Sequence, residues 1–375
     1  MQKRTGVVVG PLLVACFALG SCQLIASLED RTVGVADTGP LKLDDAGSDV
    51  DPCTQADFPP RPPGAAGPDT TSIVFALRSV DFGFDGGTTG SYGFNLDHVC
   101  TCPGSGSCVP AGNLLKVCDV AKGIDNNGDL IFQKTSAFFG EAQLNTAFEL
   151  GISGGLVRID NYNGQRVDTE VRVAILASLG FEGTPKKPAW DGTDRWIVDT
   201  HSLVGGQLSA DGGVVAAFAD ETAWVTNNTV VTSLDFPVTF GTGVPTSTPV
   251  TVELTGGVIV ATLGTNGQGR RTLSGTIAGR WLLKKMLTSF AVVQDPLDST
   301  QHLCGDDPLY QTLKQIMCES ADIAGARNLD NADHACDAVA VGVHFEAVEA
   351  QLGLASGRQD AGAPCGPNWT DTCPP

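Results

Sequence analysis

Positive charge is scarce in this chain: 23 Lys and Arg stand against 42 Asp and Glu in 375 residues. Binding to phosphate requires Lys and Arg to displace counterions, so this balance argues against nucleic acid and anionic lipid as partners. Long apolar runs are lacking too. Val7 to Gly20 is uncharged for fourteen residues, short of the roughly twenty needed to cross a bilayer core. The sequence has no H-E-x-x-H, no G-x-x-x-x-G-K-[ST] and no Gly-rich loop at Rossmann spacing, which leaves zinc-peptidase, P-loop and dinucleotide chemistry without support. It has no C-x-x-C pair, and Cys100-Thr101-Cys102 lacks the usual spacing of zinc ligands.

The first residues carry an address. Lys3 and Arg4 form a basic head, and the apolar middle contains Gly10 and Pro11. A small-residue end follows, so residues 1–21 read as a signal peptide. Leu19-Gly20-Ser21-Cys22 resembles the lipobox of bacterial lipoproteins, an aliphatic residue and two small ones before an obligatory cysteine. The plainer alternative is an ordinary signal peptide ending beside a chance cysteine. The resemblance implies diacylglycerol on the Cys22 sulfur and cleavage just before it. Gln23 stands where a retention signal favours Asp, which implies export to the outer membrane or cell surface. Stable anchoring takes at least two hydrophobic signals. The three acyl chains typical of the family would supply them.

Loss of residues 1–21 leaves 21 basic against 42 acidic residues, a net charge of −21. Such a surface suits solubility and attracts divalent cations. Ten cysteines remain besides Cys22. Cys53, Cys100, Cys102, Cys108 and Cys118 form an early group, and Cys304, Cys318, Cys336, Cys365 and Cys373 a late one. An even number outside the cytoplasm reads as disulfides. With five in each group, complete pairing requires an odd number of bridges between the groups. Cys53 with Cys365 or Cys373 is the expected crossing pair.

Residues 22–70 are acidic and rich in Pro and Gly, and they cannot bury enough apolar surface to fold. They read as a stalk, about 40 Å long as a flexible coil. Residues 71–355 form the expected body. Its abundant Gly, Val and Thr favour short strands and tight turns. Strands are expected at Ser72–Phe82, Tyr92–His98, around Val171–Ile175, at Arg195–Val198, Val214–Phe218 and Ala338–Val348. A meander is expected from Thr222 to Leu283, turning at Asn227-Asn228, Gly256-Gly257 and Asn266–Gly269. Helices are expected near 126–150, broken at Gly140, and near 306–321, with a short helical stretch at Leu283–Leu287. The whole reads as mainly β: an antiparallel β-sandwich with a helical insertion and a disulfide-linked helical C-terminal segment. The last β-strand serves as an edge, and residues 356–375 form a disulfide-tethered polar tail.

Gly123-Ile124-Asp125-Asn126, Asn161-Tyr162-Asn163-Gly164, Trp190-Asp191-Gly192-Thr193-Asp194 and Cys336-Asp337-Ala338 are similar to segments of uncharacterised myxobacterial surface lipoproteins. That resemblance implies address and class, and no activity.

Candidate chemistry is sparse. Asp125, Asn127 and Asp129 place three oxygen side chains at alternate positions, a pattern that suits Ca2+. Leu130 and Ser136, however, replace the Gly and Glu of an EF-hand loop, and a capping turn explains the same residues. Trp190, Trp196 and Trp224 could stack on sugars from a rim, or pack in a core. Gly151-Ile152-Ser153-Gly154-Gly155 matches a nucleophile elbow in letters, but its helix-then-strand order is reversed. His98, His201, His302, His334 and His344 are scattered, and His344 reads as a solvated residue on a polar strand face. No cofactor is expected apart from possible Ca2+. Three classes remain: a non-enzymatic surface structural or binding module, a glycan hydrolase, and a calcium- or sugar-dependent receptor subunit. The expected partners are a membrane, through the acyl anchor, and an unidentified glycan or envelope protein.

Overall fold

A computed structural model describes residues 57–64, 71–83, 92–100, 107–110, 119, 123–136, 140–183, 187–208, 214–240, 250–295, 298, 300–358, 365–366 and 369–374. The expected signal peptide (residues 1–21), Cys22, Cys53, Cys102, Cys118 and most of the expected stalk lie outside the described residues. Among the described residues strand outweighs helix, 44% to 18%, so the described part of the chain is mainly β.

The strands are β1 (Thr71–Asp81), β2 (Gly154–Tyr162), β3 (Asp168–Phe181), β4 (Arg195–Asp199), β5 (Ala219–Thr226), β6 (Thr229–Phe240), β7 (Val250–Thr265), β8 (Arg271–Leu282) and β9 (Ala338–Ser356). All but β4 join in one antiparallel circuit, β1-β2-β3-β5-β6-β7-β8-β9 and back to β1. This is a closed eight-stranded barrel and not the expected sandwich. The difference lies in β9. It was expected as an edge, yet Ala338–Val348 pairs with β8 while His344–Ala350 pairs with β1. Closing the sheet removes both exposed edges. Alternating strands look the same in sequence whether they face a second sheet or their own barrel axis.

The circuit encloses a filled core. Phe75, Val157, Ile159, Val173, Val225, Val230, Ile259, Leu273, Trp281 and Phe345 are buried in one cluster. Fully burying a side chain of this size stabilises by roughly 1.5–3 kcal/mol. Helices α1 (Gly128–Thr135), α2 (Glu141–Glu149), α3 (Leu283–Phe290) and α4 (Pro308–Cys318) add Ile131, Phe148, Met286 and Leu313 to the same cluster. Gly140 caps α2, at the expected break.

A second apolar layer covers part of the outer wall. β3 and β9 run on beyond their barrel partners, and β4 pairs with Ser178–Phe181 on one side and Gln351–Ser356 on the other. Trp196 and Val198 of β4, with Trp190, Leu203 and Ala216, pack on Ala76, Leu156, Ala174, Leu176 and Val348. Ala174 and Leu176 are therefore as buried as Val171 and Val173, so β3 has two dry faces over Val173–Leu176 where alternation implied one.

Three other expectations change. Gly256-Gly257 is a bulge within a continuous β7, where pairing with β8 slips between Thr255 and Val258. Gly256 supplies the positive φ of 55° that this kink requires. Tyr92–His98 and Val214–Phe218 form isolated bridges, Phe94 with Asp125 and Ala216 with Leu203, and not strands. The turn at Asn227-Asn228 is tight, as expected: both residues have positive φ, 51° and 64°, and Thr226 pairs with Thr229.

Candidate functional site

The outward positions of β1, β2, β3 and β5 converge on a groove of about 610 Å³, lined by Thr71, Ser72, Arg158, Asp160, Asn161, Arg172, Glu221 and the edge residues Val214 and Val215. Strand pleating puts Val157, Ile159 and Val173 into the barrel and turns Arg158, Asp160 and Arg172 outward. A charge ladder crosses the groove. Arg158 Nε donates to Asp160 Oδ1 at 2.7 Å, Arg172 Nη1 to Asp160 Oδ2 at 3.1 Å, and Arg172 Nε to Glu221 Oε1 at 2.8 Å. Ser72 Oγ donates to Asp160 Oδ1 at 2.5 Å. The side chains of Arg158, Asp160 and Arg172 are 15–16% exposed, and that of Glu221 is 66% exposed. Asn161, at the end of β2, holds a left-handed φ of 60°, a conformation that Asn tolerates better than most residues. Sequence reasoning missed this groove. Its one legible signal was the Arg–Asp alternation in Arg158-Ile159-Asp160, facing Arg172 on the next strand.

The expected calcium residues act as internal struts. Asp125 Oδ2 accepts from Leu96 N at 2.6 Å, Asn127 Nδ2 donates to Ser320 O at 3.3 Å, and Asp129 Oδ1 accepts from Leu130 N at 2.6 Å. Between them, Asn126 donates to Tyr92 O and accepts from Gly342 N. A Cβ at Gly342 would run into the Tyr92 carbonyl, so only Gly lets this loop lie on β9. Burial, then the carboxylates of Asp97, Asp119 and Asp322, push Asp125 well above its ordinary range. Among the described residues no group of three or more His, Cys, Asp or Glu is arranged to hold a metal ion.

Trp190 and Trp196 are buried in the outer layer with ring centroids 5.4 Å apart. Their faces are occupied by protein, so they offer no platform to a sugar. Trp224 is half-buried beneath the Arg61 guanidinium. The Ser153 hydroxyl is buried between α2 and β2, without a hydrogen-bond partner among the described residues. His201 Nδ1 lies 2.8 Å from Asp199 Oδ1. Burial raises the Asp199 pKa, but hydrogen bonds from Arg358 and His201 outweigh it and hold the carboxyl below its ordinary value. His344 Nε2 lies 3.3 Å from Ser274 Oγ, and its ring stacks on Tyr92.

The cysteines pair as Cys108–Cys336, Cys304–Cys365 and Cys318–Cys373, and Cys100 is also disulfide-bonded. The crossing bridge is thus Cys108–Cys336. Cys365 and Cys373 are not mates of Cys53, because α4 and the segment before it hold the tail instead. There Tyr310 and Lys314 both donate to Asp371 at 2.7 Å, and Trp369 packs edge-on to Tyr310. No family model, curated protein or solved structure matches the chain.

Proposed function

We propose that this chain is a lipid-anchored cell-envelope protein, carried at the outer membrane or cell surface, whose body works as a non-enzymatic binding module. The observation that carries this reading is the polarity of the barrel. Its axis is filled with apolar side chains, while its wall carries ion pairs such as Arg172–Glu221, Arg271–Glu349 and Lys285–Glu253. Barrels that span lipid have the reverse arrangement. The groove found among the described residues lies on the outer wall, which supports recognition there. The disulfides support an oxidising compartment, and the Cys22 box supports the anchor. Cys22→Ser should abolish labelling by an alkyne palmitate analogue and release the protein from membranes. Retained labelling in that variant would refute the anchor.

A further inference from the structure

We infer that the groove across β1, β2, β3 and β5 binds a saccharide unit bearing one carboxylate, a uronic-acid type of ligand, with Arg158 as its fork. The inference deepens the binding-module reading and does not depend on the anchor. Asp160 engages Arg158 only through Nε. Among the described residues, nothing accepts from the two terminal nitrogens of Arg158, although the residue lines the groove and its side chain is largely buried. A guanidinium fixed at Nε and free at its terminal nitrogens presents a planar donor pair matched to a carboxylate. Asp160 fixes the fork further, because Ser72 and Arg172 hold both of its oxygens.

The remaining lining selects the rest of the ligand. Among the described lining residues, Arg158 and Arg172 are balanced by Asp160 and Glu221, which favours a single negative charge over a phosphate dianion. Glu221 Oε2 has no hydrogen-bond partner among the described residues, and it can accept from sugar hydroxyls. The Asn161 amide supplies both a donor and an acceptor. Val214 and Val215 give a short apolar edge of the kind a pyranose C–H face covers; Val215 is 52% exposed.

The test is titration calorimetry of the purified body with a uronic-acid trisaccharide. Its carboxyl-reduced neutral counterpart, acetate and inorganic phosphate serve as comparisons. The expected result is saturable binding of the acidic trisaccharide alone. Arg158→Lys keeps the charge and removes the fork, and it should weaken binding at least about tenfold, in line with loss of a charge-assisted pair. Asn161→Gly keeps the left-handed backbone available while removing the amide, so it should weaken binding without lowering the melting temperature. Equal binding of the neutral trisaccharide would overturn the inference. So would no binding at millimolar ligand, or full affinity in a folded Arg158→Lys. None of these outcomes bears on Cys22 labelling, so the two readings fail separately.

Discussion

Of the three disulfides paired among the described residues, Cys108–Cys336 closes the longest loop, with a sequence separation of 228, and it encloses β2 through β8. Its removal by Cys108→Ala/Cys336→Ala tests how the barrel is stabilised. Both residues are buried, so Ala leaves no unsatisfied polar group. The segment around Cys108 keeps its backbone bonds, Val109 N to His334 O at 2.6 Å and Cys336 N to Val109 O at 2.8 Å. The native state should therefore change little, and the effect should fall on the unfolded chain. Loop-closure entropy gives about 5 kcal/mol for a loop of this length. The same relation gives about 4 kcal/mol for Cys304–Cys365 and Cys318–Cys373, whose separations are 61 and 55. For a body of this size, a loss of about 5 kcal/mol lowers the melting temperature by about 8 °C. Guanidinium unfolding of the three double variants is the assay. The crossing variant should be the least stable of the three. A loss below about 2 kcal/mol, or one smaller than that of either shorter-loop variant, would refute the entropic reasoning.

Three further outcomes follow from named contacts. Arg280 is buried on β8 with a bidentate bond to Asp330 at 2.6–2.7 Å, and it also donates to Ala324 O and Leu96 O. Arg280→Met should cost about 3–5 kcal/mol by stranding the partner carboxylate; a thermal melt unchanged from wild type would contradict that. Asn228→Val puts a β-branched residue at φ 64° and should cost about 1–2 kcal/mol, whereas Asn228→Gly should be tolerated; equal stability of the two in urea would exclude the tight turn. Burial raises the Asp371 carboxyl, but Lys314, Tyr310 and the Thr372 amide outweigh it and lower the pKa. Its contribution is present above the ordinary Asp value and is lost as pH falls through the lower folded value. The protection factors of the amides in residues 369–374, corrected for intrinsic exchange at each pH, should therefore fall at acid pH in wild type. A pH profile unchanged by Asp371→Asn would argue against the contact.

Local chemistry was more legible than closure. Asn227-Asn228, the break at Gly140 and the helix beginning at Pro308 depend on residues close in sequence, and the structure has all three. The barrel depends on β9 meeting β1, a contact between Ala338–Ser356 and Thr71–Asp81 that no local pattern records. The burial of Ala174 and Leu176 likewise requires β4 to fold over the wall. The same logic explains the site residues. Asp125, Asn127 and Asp129 look like a cation loop because buried struts and cation ligands use the same oxygens. Trp190 and Trp196 are explained by an outer layer that the sequence does not announce. The groove escaped notice because Ser72, Asp160, Arg172 and Glu221 come together only once four strands are in register.

The proposed function requires the disulfide-stapled barrel to reside in an oxidising compartment outside the cytoplasm. Its most direct test is non-reducing peptide mapping of the protein taken from the membranes of its own cells, with free thiols alkylated at lysis. The predicted result is linked peptides for Cys108–Cys336, Cys304–Cys365 and Cys318–Cys373. Recovery of these six cysteines as alkylated thiols would contradict both the compartment and the stapled barrel.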